Sequence, residues 1–134
     1  MNTLRPLIVA AVALVAGATA LAADKPSRAE KSEARLAALL KGRAAGTPLS
    51  CLPGFQSDQL EVIEGVALVY GRGDTIYVAR PSNPQSVRWD DVVVINRSGG
   101  QLCSTDIIHT VDRVSGFTTG VVFLDKFVPY KKQG

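Results

Sequence analysis

His109 is the only histidine in the chain. Any histidine-based proton transfer must therefore run through it. Ser104, Asp106 and Asp112 lie close to it in sequence, so the chemistry to consider is acyl transfer or hydrolysis by a Ser-His-Asp relay. That relay needs three hydrogen-bonded side chains and an oxyanion hole. It is commonly announced by a strained nucleophile turn such as G-x-S-x-G, and no such turn is present. On a strand, His109 shares a face with Ile107 and Val111, while Ile108, Thr110 and Asp112 point the other way. His109, Asp106 and Asp112 are thus weak catalytic candidates, and a structural histidine is the simpler reading.

Other reactive patterns are equally sparse. Cys103 could serve as a nucleophile beside His109 only if it were not bonded to Cys51. The C-x-x-C redox spacing is absent. Carboxylates pair as Asp90-Asp91 and as Glu61 with Glu64. Adjacent aspartates on a strand face opposite sides, which suits acid/base work poorly. Asp90-Asp91 is expected to shape the entry into a strand at Val92. One His and two Cys exclude most all-protein His/Cys metal sites, and no motif asks for a cofactor. Arg72-Gly73-Asp74 spells an adhesion tripeptide, yet Gly and Asp there are what a tight turn requires. Arg72, Arg80, Arg88, Arg97 and Arg113, with Trp89, Tyr70 and Tyr77, superficially suit a single-strand-binding barrel. A net charge of only +3 argues against a nucleic-acid partner.

The elements that must position these residues can be read next. Met1–Pro6 carries one positive charge, Leu7–Gly17 is uncharged, and Ala20-Leu21-Ala22 fits a small-residue cleavage site. This is the layout of a secretory signal peptide over residues 1–22. The apolar run is short against the ~20 residues that span a bilayer, and no later segment is apolar enough to do so. Export gives the cysteines a meaning. In an oxidising compartment, an even pair is expected to form a disulfide, here Cys51–Cys103.

Residues 23–47 form a polar segment and a helix. Ser27 with Glu30 is a capping box, and Leu36, Leu39 and Leu40 mark one helical face, so the helix is expected over about 28–41 and to end at Gly42. Gly46 and Pro48 read as a linker. Residues 48–130 are the disulfide-linked β domain, where Val, Ile, Thr and Phe take over between Gly, Pro, Asn and Asp. Leu60–Tyr70 reads as one long strand bent at Gly65, Gly71–Asp74 as a turn, and Thr75–Arg80 as the returning strand. Val92–Ile95 is apolar on both faces and is expected to be a buried central strand. Further strands are expected at Ile107–Val111 and Phe117–Leu124, with a frayed tail over 131–134. The expected class is mainly β: a small antiparallel barrel or sandwich of about five to six strands with one N-terminal helix covering an open end or edge.

Several short pieces carry a resemblance. They are Leu36-Ala37…Leu40…Gly42-Arg43…Gly46, Cys51, Val62-Ile63-Glu64-Gly65 with Tyr70, and Tyr77…Arg80-Pro81. Asp90-Asp91-Val92, Gln101-Leu102-Cys103 and Gly120-Val121…Phe127-Val128-Pro129-Tyr130 complete them. From Leu36 to Tyr130 the chain resembles a family of small exported alphaproteobacterial proteins of the sphingomonad type, to which no activity is assigned. The resemblance implies a two-cysteine exported domain of the bacterial cell envelope, and no site residues.

Together these readings favour a non-catalytic periplasmic or secreted binding or structural module with a protein partner in the envelope. An inhibitor of a cell-wall or host enzyme is its more specific form. Arg72 and Trp89 are the expected contact residues, because Arg and Trp are favoured anchors. The rivals are a hydrolase or transferase built on His109, and a carrier holding an apolar molecule in a barrel mouth.

Overall fold

The computed structural model describes residues 25–97 and 99–134. The signal-peptide segment, residues 1–22, lies outside the described residues. One helix and eight strands follow in chain order. They are α1 (Arg28–Leu40), β1 (Arg43–Ala45), β2 (Leu60–Ile63), β3 (Ala67–Tyr70), β4 (Thr75–Ala79), β5 (Asp91–Asn96), β6 (Ile107–Asp112), β7 (Thr118–Val122) and β8 (Val128–Lys132).

The helix starts where the capping residues put it. Ser27 Oγ accepts from the Glu30 amide, and the Glu30 carboxylate accepts from the Ser27 amide. This satisfies two of the amides that a helix start leaves without partners. Past Leu40 the chain turns at Gly42, whose φ of 72° suits a residue without a Cβ. Residues 43–45 then form a short edge strand that the sequence does not announce. The guanidinium of Arg43 donates to the carbonyls of Leu39, Gly73 and Asp74, at 3.0, 2.7 and 2.8 Å, and so joins the helix end to the β3–β4 turn.

All pairings are antiparallel. A five-stranded sheet has the order β1-β8-β4-β3-β2, and a three-stranded sheet the order β5-β6-β7. The strands thus make two sheets and not one closed barrel, and there are more of them than the sequence suggests. The extra strand in the middle of the chain comes from Gly65. At φ 65° it makes a reversal instead of a bulge, so Leu60–Tyr70 is a hairpin with Ile63 opposite Ala67. The tail is also structured. Lys131 and Lys132 pair with Ala44 and Arg43, and Lys131 pairs on its other side with Thr75.

The layers are helix, five-stranded sheet, three-stranded sheet. Leu36, with Leu39 and Leu40 beside it, packs on Ile63, Val66, Ala67, Val69, Ile76 and Val78. The helix therefore covers a face of the larger sheet, not an open end. Arg35–Glu61 (2.9 Å) and Arg80–Glu33 (3.0 Å) flank this contact. Both pairs are exposed to solvent, which screens them, so they contribute little to stability. The opposite face meets the smaller sheet through Leu68, Tyr70 and Ala79 against Ile108 and Val122, with Leu52, Val87, Leu102 and Phe127 filling the middle. Strand β3 is consequently buried on both faces. Val92–Ile95 lies instead in β5, at the edge of the smaller sheet, where only Val93 and Ile95 pack inward.

The Cys51 and Cys103 sulfurs are bonded. Around them the 50–52 backbone pairs with 102–104, through Leu52 N–H to the Leu102 carbonyl and Ser104 N–H to the Ser50 carbonyl, both at 2.8 Å. The bond fits an oxidising compartment. Among the described residues, no helix is long and apolar enough to cross a membrane.

Candidate functional site

The sequence-predicted catalytic residues are not assembled into a relay. His109 sits at the middle of β6, directly between Val94 of β5 and Val121 of β7, on the outer face of the smaller sheet. Its Nδ1 is buried without a hydrogen-bond partner. Asp112 lies on the other face of the same strand, where its Oδ1 accepts from the Val114 amide (3.0 Å), the Ser115 amide (2.6 Å) and the Ser115 hydroxyl (2.8 Å). Those bonds hold the Asp112 carboxyl below its ordinary range, with Arg88 adding a smaller electrostatic pull. Asp106 accepts from the Cys103 amide at 2.7 Å and closes the turn before β6. Both carboxylates are thus committed to turns, and among the described residues none bonds to His109. Cys103 is held in the disulfide.

The two expected contact residues lie at opposite ends of the β2–β3 hairpin. Arg72 is exposed on the β3–β4 turn and donates to the Asp58 carbonyl at 2.9 Å. The Arg72-Gly73-Asp74 tip is thus tied down by its own side chain and by Arg43. Trp89 is 62% exposed just before β5, with the Arg28 guanidinium 4.6 Å from the ring centroid.

The most exposed chemistry of the fold belongs to β5. The smaller sheet has two edges, and they are finished differently. Beside β7, the Asn83 side chain donates to the Val121 carbonyl (2.6 Å) and accepts from the Phe123 amide (3.1 Å), while the Ser82 amide reaches the Phe123 carbonyl (2.8 Å). That edge is covered. Beside β5, Val92–Asn96 make no backbone hydrogen bond among the described residues beyond those to β6. The strand is six residues long, longer than β1, β2 or β7 at the other edges. Val92 and Val94 are 42% and 39% exposed on the outer face, with Ile107 beside them at 56%.

The inner flank of β5 opens on a groove of about 510 Å³. Phe55, Leu60, Val62, Val93 and Ile95 give it an apolar wall, Asp91, Arg97 and Arg113 a charged one, and Arg97 stacks 5.0 Å over Phe55. The groove is the seam where β2 and β5, the edge strands of the two sheets, stand apart. An unpaired strand edge with valines outward and a partly apolar trough inward can accept an extended polypeptide by hydrogen-bonding its backbone and seating alternate side chains. The sequence contains this strand, but its apolar run also fits burial on both faces, so the edge was not recognisable from it.

The chain matches no protein-family model, no curated protein and no solved structure.

Proposed function

We propose that this chain is a non-catalytic binding module of the bacterial cell envelope, periplasmic or secreted, which takes an extended segment of a partner protein along β5. The observation that carries this reading is the unpaired edge of β5, six residues long, with exposed valines on its outer flank and a groove along its inner one. Isolated proteins usually blunt such an edge with lysine, proline, a bulge or a covering loop. Here the β7 edge has its cover and the β5 edge has none among the described residues. Trp89, beside the start of the strand, is the anchor expected at one end of the contact.

The disulfide and the signal-peptide pattern support an oxidising location. Inhibition of an envelope enzyme is one form this binding would take. The hydrolase reading loses support because His109 has no carboxylate partner. The carrier reading loses support because side chains fill the space between the sheets.

The test is affinity capture after crosslinking of intact envelopes, comparing the native chain with Val94→Lys. Val94 is outward and half exposed, so lysine is tolerated by the fold and obstructs edge pairing. The expected result is one partner at near-stoichiometric yield, reduced at least tenfold by Val94→Lys. A partner retained undiminished by the variant, or none captured, contradicts the assignment.

A further inference from the structure

Strands β5 and β6 bring together charges that nothing in the fold neutralises fully. Asp91 stands directly opposite Asp112 in the antiparallel ladder. Like charges in that position repel. Asp90, one residue earlier, joins them, and one carboxylate oxygen from each of the three residues lies within 4.8 Å of the others. Exposed acidic clusters are ordinary, but this one has a buried member between two partly exposed ones. Asp91 is only 8% accessible. Its Oδ2 accepts from the Thr119 hydroxyl at 2.7 Å, which is itself 3.0 Å from the buried Thr110 hydroxyl. Among the described residues its Oδ1 is buried with no hydrogen-bond partner, and so is Oδ1 of Asp90.

Burying a carboxylate oxygen without a donor is unfavourable unless a cation or a proton completes it. Arg88 supplies one positive group, donating to Asp90 Oδ2 at 3.2 Å. Arg113 lines the groove beside Asp91 yet bonds to none of the three. Three carboxylates against the one paired guanidinium leave two negative charges. Asp112 has spent Oδ1 on its turn, and its other oxygen is free of hydrogen bonds.

We propose that Asp90, Asp91 and Asp112 bind one divalent cation of calcium type, pinning the start of β5 to the end of β6. The donor set is oxygen only, which selects a hard cation. Calcium bonds such oxygens at ~2.3–2.6 Å in flexible geometry, whereas magnesium demands a near-ideal octahedron, so carboxylates held by two strands and the turn before one of them suit calcium better. Water completes the coordination. With three carboxylates, the affinity belongs in the ~10⁻⁴–10⁻³ M range of extracellular calcium modules.

Trp89 is the only tryptophan of the chain and adjoins the site in sequence, so it reports on the ion directly. The exported protein, purified from cells expressing the full chain and stripped with chelator, is titrated with terbium under tryptophan excitation. The expected result is saturable sensitised emission at one ion per chain, reversed by millimolar calcium and weakened at least tenfold by Asp91→Asn. Asparagine at 91 can still accept from Thr119. Should that variant not fold by circular dichroism, Asp90→Asn, at a half-exposed position, takes its place. Calcium is also expected to raise the melting temperature of the native protein and not of the variant. Absence of saturable emission overturns the proposal. So does saturable emission that both Asp91→Asn and Asp90→Asn leave unchanged, because the ion then sits elsewhere.

Discussion

At the scale of single residues, the catalytic candidates are not brought together, and one of them, Asp112, instead joins Asp90 and Asp91 in a charged cluster. His109 attracts attention because it is alone, yet its neighbours across the sheet are Val94 and Val121. The Asp90-Asp91 pair reads as strand entry, and its partner Asp112 is distant along the chain. Only the β5–β6 register sets Asp112 opposite Asp91, and register is not legible from one sequence when both strands are apolar on both flanks. Asp112 also carries a prediction. Its folded-state pKa is depressed by the Ser115 and Val114 hydrogen bonds, Glu33's by Arg80, and Glu30's by Ser27. A depressed carboxylate contributes stability that is present above its unfolded pKa and is lost as pH falls through the folded one. The melting temperature is therefore expected to fall below about pH 4. In Asp112→Asn, where the amide oxygen still caps the turn, that acid slope should be shallower. An identical slope would remove Asp112 from the account. In the core, Leu36→Ala should cost ~2–5 kcal/mol in urea unfolding, since Leu36 is the buried foot of the helix on the larger sheet.

At the scale of elements, the helix is the part the sequence describes best. Capping and the Leu36, Leu39, Leu40 stripe act locally, so residues 28–40 could be placed without tertiary information. Ser27→Ala is expected to cost about 1 kcal/mol by denaturant unfolding, because it removes the hydroxyl that accepts from the Glu30 amide. The strands were less legible. Gly65 admits either a bulge or a reversal, and what selects the reversal is long-range: its amide reaches the Val87 carbonyl at 2.9 Å. Gly65→Ala should destabilise by about 1–2 kcal/mol, the cost of a Cβ at positive φ. The tail is hard to read from sequence for a related reason. Lys131 and Lys132 look solvated in sequence and are exposed, but their backbones pair with β1 and β4. Deleting residues 131–134 should lower the melting temperature by several degrees. A frayed tail would leave it unchanged.

At the scale of the whole molecule, three layers are joined by a few long-range ties. The helix and the smaller sheet each cover one face of the larger sheet, so β3 needs no polar face. The disulfide links the connection between β1 and β2, which belong to the larger sheet, to the one between β5 and β6 of the smaller. A loop of this length is worth about 4 kcal/mol on the chain-entropy model. Reduction should lower the melting temperature by more than roughly 10 °C. An unchanged melt with the bond shown to be broken would contradict that. The same two-sheet arrangement leaves β2 and β5 apart at one seam, and that seam gives the fold its open strand.

The central claim is that β5 receives another chain, and site-specific photocrosslinking in living cells tests it most directly. A photoreactive residue at Val94, on the open strand, is compared with one at Lys31, exposed on the helix. The account expects a single prominent adduct from position 94, containing a different protein, and none from position 31. An adduct with a second copy of this chain would assign the edge to self-association. Equal labelling at both positions, or none at 94, would contradict the docking role of β5.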